Sequence, residues 1–318
     1  MAASDLAASG EQAGVTRPRL EAASPRYGER AIKAFFFACA ALSVATTTAI
    51  VLSLLSPTIG FLRQVPLDDF LFGTLWAPAF ASPSFGVLPI VVGTLMVTFF
   101  ALIVAIPIGL LSAIYLAEYA PPRIRRLVKP ALEVLYGIPT VAIGLFAFWF
   151  LRPLAEDVFP FLPWRGPFSI GVAGVAVGIM IIPLVASISD DAMRSVPSDL
   201  REGAYALGAS KLRVSLRIVF PAAISGIVAS IVLAASRAVG ETMIVLIAAG
   251  ASPKLTFDPT TSSQTMTAFI GQTATGDIAT GTLQYETIFA VGTLLFVMTL
   301  AMNLVAIRLV RRFREVYE

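Results

Sequence analysis

Two charged residues in this chain stand where charge is costly, in the stretch Ser236-Arg237-Ala238-Val239-Gly240-Glu241-Thr242-Met243. Uncharged residues flank them over 218–236 and 242–253, so neither side chain reaches water along its own helix. Each charge at membrane depth costs about 2.5–3.5 kcal/mol on insertion scales, which turns both toward a bundle interior or a water-filled path. At i and i+4, Arg237 and Glu241 share one helix face and can pair. A guanidinium also donates in a planar fork that fits phosphate-like oxygens, and it stays charged. Two readings stand side by side. In one, a structural ion pair locks helix packing. In the other, a cation in a transport path compensates an oxyanion stripped of water, with Arg237 bonded to Glu241 when the path is closed and to the anion when it opens. Glu241 can then accept a hydrogen bond from a protonated anion oxygen, and its charge prevents binding too tight for release. Gly240 keeps the helix surface between them open, or serves as a close-packing point.

The elements that must hold this pair are apolar. The 318 residues are 57% hydrophobic and 14% charged, with mean hydropathy +0.83, whereas soluble domains carry about 25% charged residues. The 23 basic and 20 acidic residues cluster between long uncharged runs instead of forming a polar shell. The absence of His and the single Cys exclude His-based acid/base chemistry, His or Cys₄ zinc sites and a disulfide within the chain. Cys39 lies in an apolar run and reads as packing. No cofactor or metal is expected.

Crossing a bilayer takes about 20 apolar residues, and lipid leaves open strands unsatisfied. The uncharged intervals therefore predict an all-α polytopic membrane protein with six transmembrane helices near 34–56, 86–117, 134–151, 168–188, 220–250 and 286–307. The third is short, and a re-entrant segment is its alternative. Segments 1–33, 118–133, 189–219 and 308–318 carry 5, 4, 5 and 4 Lys or Arg, whereas 57–85, 152–167 and 251–285 carry 1, 2 and 1. This alternation puts both termini in the cytoplasm and leaves Arg237 as the basic residue inside a span. It also accounts for the pI near 9.2 without nucleic acid. Residues 1–33 read as a disordered cytoplasmic tail, 34–310 as the transmembrane domain and 311–318 as a second tail. A cleaved signal peptide fits poorly, because the first apolar run exceeds its 7–15-residue core. No repeat and no second, soluble domain is evident.

The loop 189–221 is patterned as two short helices around a glycine. Ser198 or Asp199 can cap the first, whose Leu200, Ala204 and Leu207 form an apolar stripe. Gly208 ends it. Ser210 can cap the second, whose Leu212, Leu216 and Val219 run on toward the membrane. Such an element either lies on the inner leaflet or docks a partner protein.

Glu202-Gly203-Ala204, three residues, Gly208, nine residues, then Ile218-Val219-Phe220-Pro221 resembles the loop motif of bacterial ABC-importer permeases, E-A-A, three residues, G, nine residues, I-x-L-P. Gly203 and Phe220 depart from it while keeping size or apolarity. The resemblance implies a type I importer permease fold in which this helix–Gly–helix sits in a groove of a cytoplasmic ATPase. Carried over, Glu202, Gly203, Ala204, Gly208, Ile218 and Pro221 would couple ATPase movement to the spans. The chain has no G-x-x-x-x-G-K-[ST] phosphate loop, so ATP chemistry must come from another chain.

Arg237-Ala238-Val239-Gly240-Glu241-Thr242-Met243 is similar to the R-A-x-G-E-T-M stretch of phosphate-specific (Pst) ABC permeases. So are Ser84-Phe85-Gly86-Val87-Leu88-Pro89, Ile114-Tyr115-Leu116-Ala117-Glu118-Tyr119-Ala120-Pro121-Pro122 and Gly137-Ile138-Pro139-Thr140. The similarity covers roughly 84–308 and favours the C-type over the A-type subunit. It implies an inner-membrane permease of an ATP-driven phosphate importer, with Arg237 and Glu241 on the translocation path. The implied partners are an A-type permease in a heterodimer, an ATPase dimer and an extracytoplasmic phosphate-binding protein docking on 57–85, 152–167 and 251–285.

Three other readings remain open at this point. The same machine could carry sulfate, molybdate or another oxyanion. An ungated anion channel or ion-coupled carrier also suits a buried Arg/Glu pair. A polytopic membrane enzyme would need a nucleophile and base at membrane depth, and Glu241 is the one acid there.

Overall fold

The computed structural model describes residues 27–80 and 82–312. Fourteen helices are described, with a single two-stranded hairpin. Helix α1 (Tyr27–Gln64) begins inside the 1–33 segment and outruns the expected 34–56. Residues up to Leu52 form one compact unit and those from Ser53 a second. In the first, Thr46, Thr47 and Thr48 donate their hydroxyls to the carbonyls of Leu42, Ser43 and Val44, so that these three hydroxyls are satisfied within the apolar helix. Cys39, read as packing, is exposed.

In the second unit, the end of α1 leads to α2 (Leu67–Phe72) and to a hairpin of β1 (Trp76–Ala77) and β2 (Ser84–Phe85), paired antiparallel with Trp76 opposite Phe85. Phe61 packs edge-on against Phe70 and Phe85 at centroid distances of 5.3 and 5.4 Å. Then come α3 (Leu88–Ile114), closed by a π turn over Tyr115–Tyr119, and α4 (Pro122–Tyr136). Pro139 starts a new helix, α5 (Thr140–Phe146), which continues through a π turn (Ala147–Leu151) into α6 (Arg152–Val158). The expected span 134–151 is thus displaced. Its helix runs over Thr140–Val158 and meets α4 at 89°, because the residue before a proline leaves the helical region.

Helix α7 (Ile170–Arg194) is the buried axis of this unit. Lipid tails are as apolar as leucine, so helices in a bilayer gain little from hiding apolar surface and associate through close packing. Gly174 and Gly178 therefore lie against Val97 and Ala101 of α3, where any Cβ would press on their backbone. After α7 the chain makes α8 (Ser198–Ala206), α9 (Lys211–Val214), a π turn (Ser215–Val219) and α10 (Phe220–Ala222). A 71° bend leads into α11 (Ile224–Val239). The buried Ser189 and Ser230 hydroxyls, 2.8 Å apart, tie α7 to α11.

The expected helix 220–250 is broken twice, at Ala223 and again at 240–242, before α12 (Met243–Ala248). Segment 251–285 is not a plain outer loop, for it contains α13 (Met266–Thr275), whose first turn is buried. The last helix, α14 (Leu283–Arg312), extends past the expected 286–307 at both ends. Among the described residues, four helices are long and apolar enough to cross a membrane, or up to six when each bent pair counts as one span. Residues 313–318 and 1–26, which hold most of the expected tails, lie outside the described residues.

Candidate functional site

Arg237 sits in the last turn of α11 and Glu241 just beyond the helix end, so the pair does not share one continuous helix as the i,i+4 spacing suggests. The side chains still meet, with Arg237 Nη2 3.8 Å from Glu241 Oε2. That distance is an ion pair without a hydrogen bond. The reason lies in what else Glu241 does. Its Oε1 accepts the backbone N–H groups of Met243 (3.1 Å) and Ile244 (3.3 Å), capping α12. The orphan donors at a helix start prefer a carboxylate, so the break at 240–242 is stabilised by the very charge that was expected to hold the arginine.

The two partners are unequally buried, Glu241 being 3% exposed and Arg237 40%. The Arg237 guanidinium makes no hydrogen bond among the described residues and opens onto the face of α11 that Leu233 and Gly240 share. Gly240 closes α11 at φ −88°, so the backbone does not demand glycine there. Nor does space demand it, because a Cβ would make ordinary contacts only, with the Ser236 and Arg237 carbonyls. Beside it, Ser236 donates to Asn303 Oδ1 of α14 at 3.0 Å. The arrangement is a cation with free donors, held next to a carboxylate that is otherwise engaged.

The loop residues lie elsewhere, on α8 to α10. Gly208 has φ +78°, the left-handed turn expected of it, and its N–H donates to the Tyr205 carbonyl. Glu202 and Gly203 are exposed, Ala204 is buried, Ile218 is half-buried in the π turn and Pro221 is exposed on α10. Two details differ from expectation. Pro197 occupies the cap position of α8, and neither Ser198, Asp199 nor Ser210 caps a helix with its side chain. The apolar stripe also splits, since Ala204 turns inward while Leu207 is 90% exposed at the tip.

Spacing does not reveal two ionic groups on this side of the fold, and the first of them anchors the loop. Arg201 of α8 donates from Nε and Nη2 to Glu118 Oε1 (3.2 and 3.1 Å), from Nη1 to the Val196 carbonyl and from Nη2 to the Met193 carbonyl (both 2.7 Å). Glu118 lies in the π turn that ends α3, and Lys211 of α9 stacks over its neighbour Tyr119. The second group joins α4 to α7. Asp190, wholly buried, receives Arg125 (2.8 Å) and Lys129 (3.4 Å), and Lys129 also reaches Asp191. Glu118 stands within a stretch that carried the family resemblance, but only the fold brings Arg201 to it.

The sequence profile of the family "Binding-protein-dependent transport system inner membrane component" matches residues 105–315. The chain belongs to this family. It is therefore a multi-pass inner-membrane transport component and not an enzyme. Within the family it is 32% identical over 264 residues to a probable ABC transporter permease protein, YqgH, of Bacillus subtilis (strain 168), spanning 82% of this chain and 84% of that one. It is 34% identical over 266 residues to the phosphate transport system permease protein PstC of Pasteurella multocida (strain Pm70), spanning 78% and 81%. The fold is that of type I ABC importer permeases. A permease chain of a bacterial alginate ABC transporter aligns over 91% of this chain and 99% of its own at TM-score 0.60 and 16% identity. A chain of the MetNI methionine ABC transporter aligns over 72% and 95% at TM-score 0.53 and 18% identity.

Proposed function

We propose that this permease is the C-type half of an ATP-driven importer of inorganic phosphate, and that Arg237 is the station at which the anion crosses the membrane. The observation that carries this is the Arg237 guanidinium, 40% exposed and without a hydrogen bond among the described residues, while its acidic neighbour is held by α12. Relatives at 32–35% identity named as phosphate transport permeases support the cargo.

In this reading, phosphate released from an extracytoplasmic binding protein reaches Arg237, whose planar fork replaces part of the lost hydration. Glu241 limits the attraction and lets the anion leave. A second permease chain of A-type covers the open face of α11. An ATPase dimer engages the exposed Glu202, Gly203 and Leu207 end of the coupling loop, and Gly208, Ile218 and Pro221 carry its movement to α11. The arginine and lysine bias of the loops supports cytoplasmic termini.

Reconstitution tests this directly. The complete complex in liposomes takes up labelled phosphate when ATP is supplied, and excess sulfate does not compete. Equal competition by sulfate would reject the cargo. Uptake that continues without ATP on an ion gradient would reject the ABC mechanism altogether.

A further inference from the structure

The break that separates Arg237 from Glu241 leaves backbone groups with no helical partner, and a residue from a distant segment takes one of them, the Glu241 carbonyl. Thr267, in the first turn of α13, donates its hydroxyl to the Glu241 carbonyl at 2.6 Å. Both residues are buried, at 5% and 3% exposure. A buried carbonyl must find a donor, and ordinary helix continuation would have supplied a backbone N–H. Thr267 substitutes for it, which permits the helix to stop at Val239 and restart at Met243.

Helix α13 is itself firmly seated. Thr265 caps it by accepting the Ala268 N–H at 3.1 Å, and its hydroxyl lies 3.1 Å from that of Thr267. The Met266 N–H donates to Thr94 Oγ1 of α3 at 3.0 Å. Gly93 brings α3 against the Gln264 carbonyl so closely that no side chain would fit. Gly271 approaches Thr242 and Leu246 on the far side of the break. The segment 251–285 thus contains a firmly anchored helix whose polar contact with the station, among the described residues, is the Thr267 hydroxyl.

We propose that Thr267 is the positioning residue of the anion station, the group through which segment 251–285 keeps the helix broken and the Glu241 carboxylate turned onto α12, so that Arg237 stays free for its anion. The inference rests on the phosphate-permease reading above. Without the hydroxyl, the Glu241 carbonyl seeks a helical N–H, the carboxylate leaves its cap, and Oε2 closes the 3.8 Å gap to Arg237. The guanidinium is then occupied by its own neighbour. Nothing in that rearrangement touches α8, α9 or the ATPase side of the chain.

The test is Thr267→Val, which keeps volume and removes the donor, compared with Thr267→Ser, which keeps the donor. Phosphate uptake and ATP hydrolysis stimulated by the loaded binding protein are measured on the same vesicles carrying the full complex. For Thr267→Val we expect uptake lowered about tenfold with stimulated hydrolysis retained, and for Thr267→Ser the parental ratio of phosphate to ATP. A Thr267→Val complex that couples like the parent overturns the proposal. So does an assembled complex in which uptake and hydrolysis fall together, or a Thr267→Ser variant that fails as the valine does, since packing alone would then explain the residue. If the parent carries a different oxyanion, the cargo reading fails, and the same comparison made with that anion decides the role of Thr267.

Discussion

Glu241 faces two ways: one carboxylate oxygen accepts the N–H groups of Met243 and Ile244, and the other stands 3.8 Å from the Arg237 guanidinium. An ion pair that close but without a hydrogen bond is cheap to exchange. In the proposed function, an incoming oxyanion would meet donors that need not first be released from another acceptor.

Changing Arg237 to Gln should leave the complex assembled, because the guanidinium makes no hydrogen bond among the described residues. Uptake should fall by about 10- to 150-fold, the equivalent of one charge-assisted hydrogen bond of about 1.5–3 kcal/mol. Labelled phosphate uptake by the reconstituted complex checks this. Normal transport by that variant would reduce the pair to scaffolding.

Replacing Glu241 separates its two duties. Glu241→Gln keeps a carbonyl oxygen to cap α12 and loses the charge, so assembly should persist while the anion is held longer, lowering both KM and turnover. Glu241→Ala removes the cap as well, at about 1 kcal/mol, and should also lower the melting temperature of the solubilised complex. Equal melting temperatures for the two variants would contradict the capping role.

At Gly208 the cost is in the backbone and not in space, since a Cβ would meet nothing within 4 Å while φ is +78°. Gly208→Val should therefore cost about 1–3 kcal/mol of local strain and reduce ATPase copurification. Gly208→Asn should be milder, because asparagine tolerates the left-handed region. A valine variant that retains its ATPase and couples hydrolysis to uptake would refute this use of the turn.

The Arg201–Glu118 clasp should be strongly non-additive. Arg201→Ala strands a carboxylate that is 5% exposed, a loss of about 3–5 kcal/mol in buried settings. Arg201→Ala combined with Glu118→Gln should recover part of it, because no charge remains unpaired. Thermal unfolding of the three variants measures the coupling. Simple additivity would show that the clasp contributes little.

Much of this architecture could be read before any coordinates, for definite reasons. Charge is excluded from lipid, so gaps between charged residues located the spans, and loop arginines and lysines suggested their direction. Gly208 stood out because a turn at fixed spacing between two helical stripes needs a left-handed residue. The break beside Glu241 did not. Residues 224–250 are uncharged throughout apart from the pair, a pattern that fits one long helix equally well, and the donor that permits the break is 26 residues away in sequence. Helix α13 was hidden similarly, because Thr265, Thr267, Gln272 and Thr273 read as loop until their partners are known. Arg201 looked like any loop arginine, since its carboxylate comes from the end of another span. Spacing reveals what one helix does with itself. It does not reveal what a neighbouring helix supplies.

Three of the helices carry a π turn, at Tyr115–Tyr119, Ala147–Leu151 and Ser215–Val219. Each holds one residue more than the regular repeat has room for; at Ala147–Leu151 and Ser215–Val219, where helix follows directly, this offsets the next residues by about 100°, while at Tyr115–Tyr119 it ends α3. Such a surplus can be passed along a helix by exchanging neighbouring hydrogen bonds, one at a time, without unwinding it. One of them, Ser215–Val219, lies within the 189–221 loop at Ile218, and another, Tyr115–Tyr119, carries the Glu118 that Arg201 clasps. If that loop couples to an ATPase as proposed, a push on it would emerge through the Ser215–Val219 turn as rotation of a rod about its own length, where a perfectly regular rod would have to tilt or snap.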